Sequence, residues 1–186
     1  MTSVLPFDEL NKFADGIRKR YGKDPLPRSK AEEEDIIDEL LDLFLLAYAM
    51  GNSATNSNLL SDFTPTLGDA MKVVDEEVAG KTWRGRVEEY FDNGGTVDDI
   101  VRIAETETHR IANTSALDTA KRAGAKNKTW LTMADDRVRE QHEWLEGVTV
   151  GIDDDFITPD GDRASAPGLF SLAENNVNCR CELIFS

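Results

Sequence analysis

The chain has 186 residues, enough for one sizeable hydrophobic core or for two small ones. Hydrophobic residues make up 40% of it and charged residues 31%, a composition typical of globular proteins. The 36 acidic and 21 basic residues leave a formal net charge of −15. That charge argues against non-specific DNA binding over the whole surface, because such binding depends on phosphates neutralised by Lys and Arg.

We expect neither a signal peptide nor a membrane span. The segment Met1–Glu9 lacks a basic start followed by an apolar run. The most apolar stretch, Ile36–Met50, contains three acidic residues and is too short to cross a bilayer. The two cysteines, Cys179 and Cys181, are one residue apart, a spacing that does not suit a disulfide framework. We therefore expect a protein of a reducing compartment.

The first third of the chain predicts two helices and a linker. The first helix should span Pro6–Tyr21, and the second should run from a cap at Ser29 to about Met50, ended by Gly51. The apolar residues of the second helix recur at helical spacing: Ile36, Ile37, Leu40, Leu41, Phe44, Leu45 and Tyr48. The polar segment Asn52–Asp62 indicates a linker. We interpret residues 1–51 as a helical region that docks on a partner, and residues 52–66 as the linker.

Residues 67–125 predict a second helical region. Two short helices are expected at about Leu67–Ala79 and Thr82–Phe91. A long helix should then begin after a cap at Thr96, reach about Arg122 and end at Gly124.

Residues 126–186 predict a small mixed unit. Strands are expected near Lys128–Met133, Val148–Ile152 and Asn178–Phe185, with a short helix at Asp135–Leu145 and a turn at Thr158–Gly161. The fold class is therefore α+β, with a helical amino-terminal region, a long helix, and a small sheet of about three strands with one short helix.

An ordered set of motifs runs from about Ile100 to Leu183. In chain order its members are Thr106, Glu107, Gly124, Lys128, Trp130, Asp135, Arg137, Arg139, His142, Leu145, Gly147, Asp154, Phe156 and the run Asn178–Cys181. In order and spacing the set resembles the phage Mu F-like head morphogenesis family, the minor head proteins of tailed double-stranded DNA phages.

The resemblance implies a non-enzymatic structural protein, bound near the portal inside the phage head after assembly in the host cytoplasm. Its partners would be the portal protein, other capsid components and packaged double-stranded DNA. We assign docking on the portal or capsid to residues 1–50, because acidic amphipathic helices suit a protein partner better than DNA.

We treat the motif residues as structural: Glu107, Trp130, Asp135, Arg139, His142, Gly147, Asn178, Cys179, Arg180 and Cys181. A guanidinium can hold several loops through forked hydrogen bonds, so we hypothesise a buried pair of Glu107 with Arg139 or with Arg180. The alternative is a solvated Glu107 on the helix surface. The remaining histidine, His109, is interpreted as a polar helix position.

His142, Cys179 and Cys181 are the candidate metal ligands, with Asp135 or Asp155 considered as a fourth. Thiolate and imidazole are ligands that zinc favours, although structural sites usually carry a Cys-x2–4-Cys spacing. The alternative is that both cysteines are small buried hydrophobic residues, and we expect no cofactor on that basis. A catalytic interpretation, as a metal-dependent hydrolase, a Cys nucleophile with His142 as base or a toxin-like effector, is kept as the alternative function.

A basic cluster and an acidic cluster each have both a functional and a structural interpretation. Lys121, Arg122, Lys126 and Lys128 are candidate DNA contacts, although their position at a helix end also suits the helix dipole. The run Asp153–Asp155 fails the calcium-loop spacing and is interpreted as a solvated acidic turn.

Overall fold

A computed structural model describes residues 7–22, 26 and 29–186 of the chain. Its elements are α1 Phe7–Tyr21, α2 Lys30–Leu59, α3 Leu67–Val74, α4 Trp83–Asp92, α5 Val97–Arg122, β1 Asn127–Leu131, α6 Glu140–Glu143, β2 Thr149–Gly151, β3 Phe156–Ile157, β4 Arg163–Ala164, α7 Ala173–Asn176 and β5 Glu182–Phe185. The predicted α+β class is confirmed. None of the helices in the described ranges is long and apolar enough to cross a membrane.

The start of α2 was predicted correctly and its end was not. The Ser29 hydroxyl accepts the N–H of Glu32 at 3.2 Å, as a helix cap does. The helix then continues through Gly51 to Leu59, so the predicted linker is wrong for residues 52–59. Asn52, the first residue of the predicted linker, has a partner across the fold, since its side-chain amide donates to the Thr119 hydroxyl at 2.8 Å.

The long helix α5 is the centre of the helical part. It begins at the predicted cap, where the backbone N–H of Thr96 donates to the Asp99 carboxylate at 2.9 Å in a capping box. One hydrophobic core contains residues from α1, α2, α3, α4 and α5. The apolar face of α2 belongs to this core: Ile36, Leu40 and Phe44 are fully buried. That face is therefore covered, so the predicted docking of residues 1–51 on a partner cannot use it.

The sheet has the order β2-β1-β5 and is antiparallel throughout, with Trp130 of β1 opposite Leu183 of β5. The predicted three-stranded sheet is confirmed. A second core lies beneath it, built around Trp130, Phe156 and Phe170. The hairpin of β3 and β4 was not predicted, because strands of two residues are too short to show an alternating pattern.

Two predicted elements of the carboxy-terminal unit are shorter than expected. The last strand begins at Glu182, because the carbonyls of Cys179 and Cys181 bond to side chains of α5 rather than to a neighbouring strand. The helix predicted over Asp135–Leu145 is confined to Glu140–Glu143. The Asp135 carboxylate accepts the N–H of Arg137 at 3.1 Å, which holds this segment in a turn.

Candidate functional site

Three side chains able to bind a metal lie together in the second core. The Nδ1 atom of His142 is 3.6 Å from Sγ of Cys179 and 3.4 Å from Sγ of Cys181. All three potential ligand atoms lie within 4.8 Å of one another, and they form the only such group among the described residues. The side chains are buried, with 2% of His142 and 4% of each cysteine exposed. Asp135 and Asp155, the considered fourth ligands, do not join the group.

Aromatic packing and backbone turns position these ligands. The His142 ring lies 5.2 Å from the ring of Trp130 and 5.6 Å from that of Phe170. Asn178 adopts a left-handed conformation, with φ of 56°, immediately before Cys179. Cys179 and Cys181 are buried and Arg180 between them is half-buried, as expected where side chains alternate along extended backbone. Both thiols therefore face His142.

Helix α5 holds the backbone of the cysteine segment. The ring of His109 hydrogen-bonds to the carbonyl of Cys179, and the Asn113 amide donates to the carbonyl of Cys181 at 3.0 Å. His109 is buried, which lowers its pKa, so the interpretation of His109 as a plain polar helix position is wrong. The spacing of His109 and Asn113, four residues apart on one helix face, was the signal that could have identified this clamp.

The surroundings shift the pKa values of the two thiols in opposite directions. A hydrogen bond from Cys181 and the nearby His142 lower the pKa of Cys179 well below its usual range. The same hydrogen bond, together with burial, raises the pKa of Cys181. The Nε2 atom of His142 has no hydrogen-bond partner among the described residues. The site is therefore a buried polar cluster that can hold one thiolate.

Two arginines frame the cluster. Arg180 binds the carboxylate of Asp135 with both terminal nitrogens, at 2.8 and 2.7 Å, and this pairing lowers the pKa of Asp135 to about 2. Arg139 donates to the carbonyls of Glu174 and Val177. Both guanidinium groups thus hold loops in place, but neither pairs with Glu107.

Glu107 is buried, as hypothesised, but its partners differ from those expected. It accepts hydrogen bonds from Arg110 at 2.7 Å and from Arg86. Arg110 also donates to the carbonyl of Val73 at 2.9 Å, which ties α5 to the end of α3. The predicted pairs with Arg139 and Arg180 are wrong, because those side chains lie around the cysteine segment. The three-residue spacing of Glu107 and Arg110 was a sequence signal for the observed pair.

Gly147 has a structural reason to be glycine. Its φ is +71°, a conformation that L side chains rarely adopt, and its N–H donates to the carbonyl of Trp130 at 2.9 Å. This hydrogen bond sets the turn that returns the chain from α6 to β2.

The four candidate DNA contacts do not form one exposed basic patch. Lys128 is fully buried, its ammonium group donates to the carbonyl of Ser165 at 2.8 Å, and burial lowers its pKa. Lys121 pairs with Asp153 at 2.9 Å, so the acidic run contacts a cation of this chain. Arg122 lies 3.7 Å from Asp69 and stacks over the Phe63 ring. Lys126 is exposed.

Comparison with known families matches residues 65–184 to the family described as "Phage Mu protein F like protein". The matched region contains every residue of the cluster and its frame. The chain belongs to this family. The predicted resemblance over residues 100–183 is thus confirmed, and the match begins earlier in the chain, at residue 65.

Two curated proteins share part of this Mu F-like chain. It is 34% identical over 85 residues to Minor head protein GP7 of Bacillus phage SPP1, covering 44% of the chain and 28% of that protein. It is 36% identical over 88 residues to NAD(+)--arginine ADP-ribosyltransferase EFV of Enterococcus faecalis (strain ATCC 700802 / V583), covering 45% of the chain and 18% of that protein. The aligned segments thus span less than a third of either relative. No solved structure matches the chain.

Proposed function

We propose that this protein is a minor head protein of a tailed phage, attached to the portal or another component of the capsid interior. The observation that carries the proposal is the family match over residues 65–184, which includes the whole buried cluster. The similarity to a protein named as a minor head protein supports the same role. The protein would reach the phage head from the host cytoplasm during assembly.

Attachment, rather than catalysis, is the mode of action that the contacts favour. Arg139 and Arg180 are occupied in holding loops, and the cysteines and His142 are at most 4% exposed. The cleft that borders these three side chains has a volume of about 10 Å³, which leaves room for a water molecule but not for a larger substrate. Residues in such positions stabilise a scaffold whose outer surface meets partners.

The surface of α2 supports a protein partner. Glu34, Asp38 and Asp42 are exposed and follow one another at intervals of four residues, so they form an acidic row along one helix face. With a net charge of −15, such a face suits a basic region of another protein and repels DNA phosphates. We assign the contact with the portal or capsid to this acidic row.

Co-purification tests the assignment. The tagged chain, co-expressed with the portal protein of the same phage, should retain the portal, and purified virions should contain the chain. The double variant D38K/D42K should weaken portal capture, whereas Glu88→Lys, at an exposed position on α4, should leave it unchanged. Absence of the chain from virions, together with no portal capture by the folded wild type, would contradict the proposal.

DNA contact is a separate proposal with narrower support. Exposed Lys126 lies near Lys121 and Arg122 at the end of α5, but acidic residues pair with the latter two. Any binding to duplex DNA should therefore be weak and should disappear as salt is raised. Gel retardation at low salt measures it, and Lys126→Ala should reduce the retardation. No retardation at low salt would remove DNA from the partners.

The similarity to an ADP-ribosyltransferase raises a second candidate, an effector enzyme. The shared segment covers 18% of that enzyme, so we assign the segment and not the transferase activity to this chain. Incubation with NAD+ and an arginine-containing protein tests this, with nicotinamide release as the measurement. We expect release no faster than in a blank, and enzyme-dependent turnover would favour the effector.

A further inference from the structure

The cluster of His142, Cys179 and Cys181 has the chemistry of a soft divalent metal site. Two thiolates and an imidazole are ligands that suit zinc, whereas calcium and magnesium require oxygen. A zinc ion with two thiolates and one neutral imidazole carries no net charge. Burial of such a complex therefore avoids most of the penalty for placing an isolated charge inside a protein.

The distances in the cluster fit tetrahedral coordination. Zinc–sulfur bonds of about 2.3 Å and a zinc–nitrogen bond of about 2.05 Å, at the tetrahedral angle, place sulfur and nitrogen about 3.5 Å apart. In this protein the two sulfur–nitrogen distances are 3.6 and 3.4 Å. Both sulfur–nitrogen distances are thus those of tetrahedral zinc, and all three ligand atoms lie within 4.8 Å of one another.

The same distances also suit hydrogen bonds between sulfur and nitrogen. The hydrogen-bond partners of His142 distinguish the two arrangements. The histidine is 2% exposed, and its second nitrogen, Nε2, has no partner among the described residues. A buried imidazole with one unpaired nitrogen is costly if its other nitrogen makes only a weak hydrogen bond to a thiol. A metal–nitrogen bond at Nδ1 compensates this burial far more strongly.

A fourth coordination position is open towards a small cleft. The three ligands border it together with Met133, Val138, Asn178 and three arginines, Arg137, Arg139 and Arg180, and its volume is about 10 Å³. A cavity needs roughly 10–15 Å³ to hold one water molecule. One water can therefore complete the tetrahedron.

We propose that this chain binds one zinc ion through Sγ of Cys179, Sγ of Cys181 and Nδ1 of His142, with water as the fourth ligand. The ion fastens α6 to the segment before β5 and so stabilises the carboxy-terminal unit. Both cysteines coordinate as thiolates, so binding releases any proton that a thiol still carries, and the imidazole coordinates in its neutral form.

The wild-type chain is tested first, so that no variant has to fold. Full-length protein is expressed in zinc-supplemented medium, purified under reducing conditions without chelator, and its zinc is measured by elemental analysis. About one zinc per chain is expected. Replacement with cobalt should give a thiolate-to-cobalt charge-transfer band together with the strong visible bands of a tetrahedral ion. Metal removal with a chelator should lower the melting temperature.

Cobalt distinguishes this site from adventitious binding, because exposed carboxylates on a chain of net charge −15 hold divalent ions without a sulfur charge-transfer band. Cys181→Ser should lose the band, whereas Asp155→Asn, which changes an exposed carboxylate outside the cluster, should keep it. Zinc well under one atom per chain in folded, reduced wild type would overturn the proposal. Bound metal without a thiolate band would overturn it equally.

Discussion

Glu107 and Arg110 lie one turn apart on α5 and form a buried ion pair with an Nε···Oε2 distance of 2.7 Å. Only 2% of the Glu107 side chain and 1% of the Arg110 side chain are exposed. Arg86 approaches the same carboxylate from α4, and Arg110 reaches the carbonyl of Val74 at 3.2 Å. The pair therefore joins α5 to α4 and to the end of α3 inside the helical core.

Glu107→Gln should destabilise the protein strongly. The change removes the buried charge beside Arg110, whose remaining carboxylate partner, Glu76 at 3.2 Å, is 44% exposed, and loss of one partner of a buried pair typically costs about 3 kcal/mol or more. The free energy of unfolding, measured with denaturant, checks this. Glu105→Gln, at a half-buried position on the same helix, is the matched control and should change stability by less than about 1 kcal/mol. Equal stability of both variants would mean that the pair contributes nothing.

Gly51→Ala should also destabilise the protein, although alanine favours a helix. A Cβ atom at this position would lie 2.2 Å from the carbonyl oxygen of Ala112, where α2 crosses α5. Overpacking of this kind costs about 3 kcal/mol, more than the gain of about 1 kcal/mol from helix propensity. We expect a lower melting temperature, recorded by circular dichroism.

Gly16→Ala is the control for helix propensity, since a Cβ atom there meets no atom within 4 Å. It should stabilise the protein by up to about 1 kcal/mol. The two alanine substitutions should thus shift the melting temperature in opposite directions. A rise for both would contradict the close contact of α2 with α5.

Asp162 organises the loop before α7, and its removal should loosen that loop. Its carboxylate accepts the N–H groups of Ser171 at 3.1 Å and Leu172 at 3.0 Å, and the Asn175 amide at 3.1 Å. Asp162→Asn should cost about 2 kcal/mol, because hydrogen bonds to a charged acceptor are lost. Denaturant unfolding measures the loss, and Asp155→Asn, at an exposed position, should be nearly neutral.

The same carboxylate makes stability depend on acid. Burial opposes the charge of Asp162, but the hydrogen bonds from Asn175, Ser171 and Leu172 prevail and lower its pKa to about 2. An unfolded Asp has a pKa of about 4. The stabilisation is therefore present above about pH 4 and is lost as the pH falls towards 2, since the unfolded chain then binds the proton more tightly. The difference in stability between wild type and Asp162→Asn should shrink over this interval, and a constant difference would contradict the assignment.

The cysteines should react slowly with iodoacetamide in the native protein. The pKa of Cys179 is lowered by its hydrogen bond from Cys181, which favours a thiolate, but each cysteine is only 4% exposed. Burial therefore limits the reaction, and alkylation at neutral pH should be slower than that of free cysteine. Mass spectrometry follows the reaction, and the denatured chain should react fully. A native thiol that reacts faster than free cysteine would instead indicate an activated nucleophile.

The sequence alone determined the features that depend on near neighbours. Ser29 and Thr96 predicted the starts of α2 and α5, because a helix cap is a contact between residues three positions apart. The one-residue spacing of Cys179 and Cys181 places both thiols on one face, because side chains alternate in extended backbone. The family resemblance also followed from residue order and spacing.

Tertiary structure alone decided the features that depend on which element lies opposite. Gly51 does not end α2, because α5 packs close against Gly51 and the Thr119 hydroxyl accepts a hydrogen bond from the next residue, Asn52. The sequence predicts Lys128 as a surface cation, but in the structure the loop that contains Ser165 covers it. The sequence offers several arginines as partners of Glu107, and in the structure it pairs with Arg110 on its own helix and with Arg86 on α4. Local patterns specify how a segment folds, but the partner of a buried charge is set by distant segments that the core brings together.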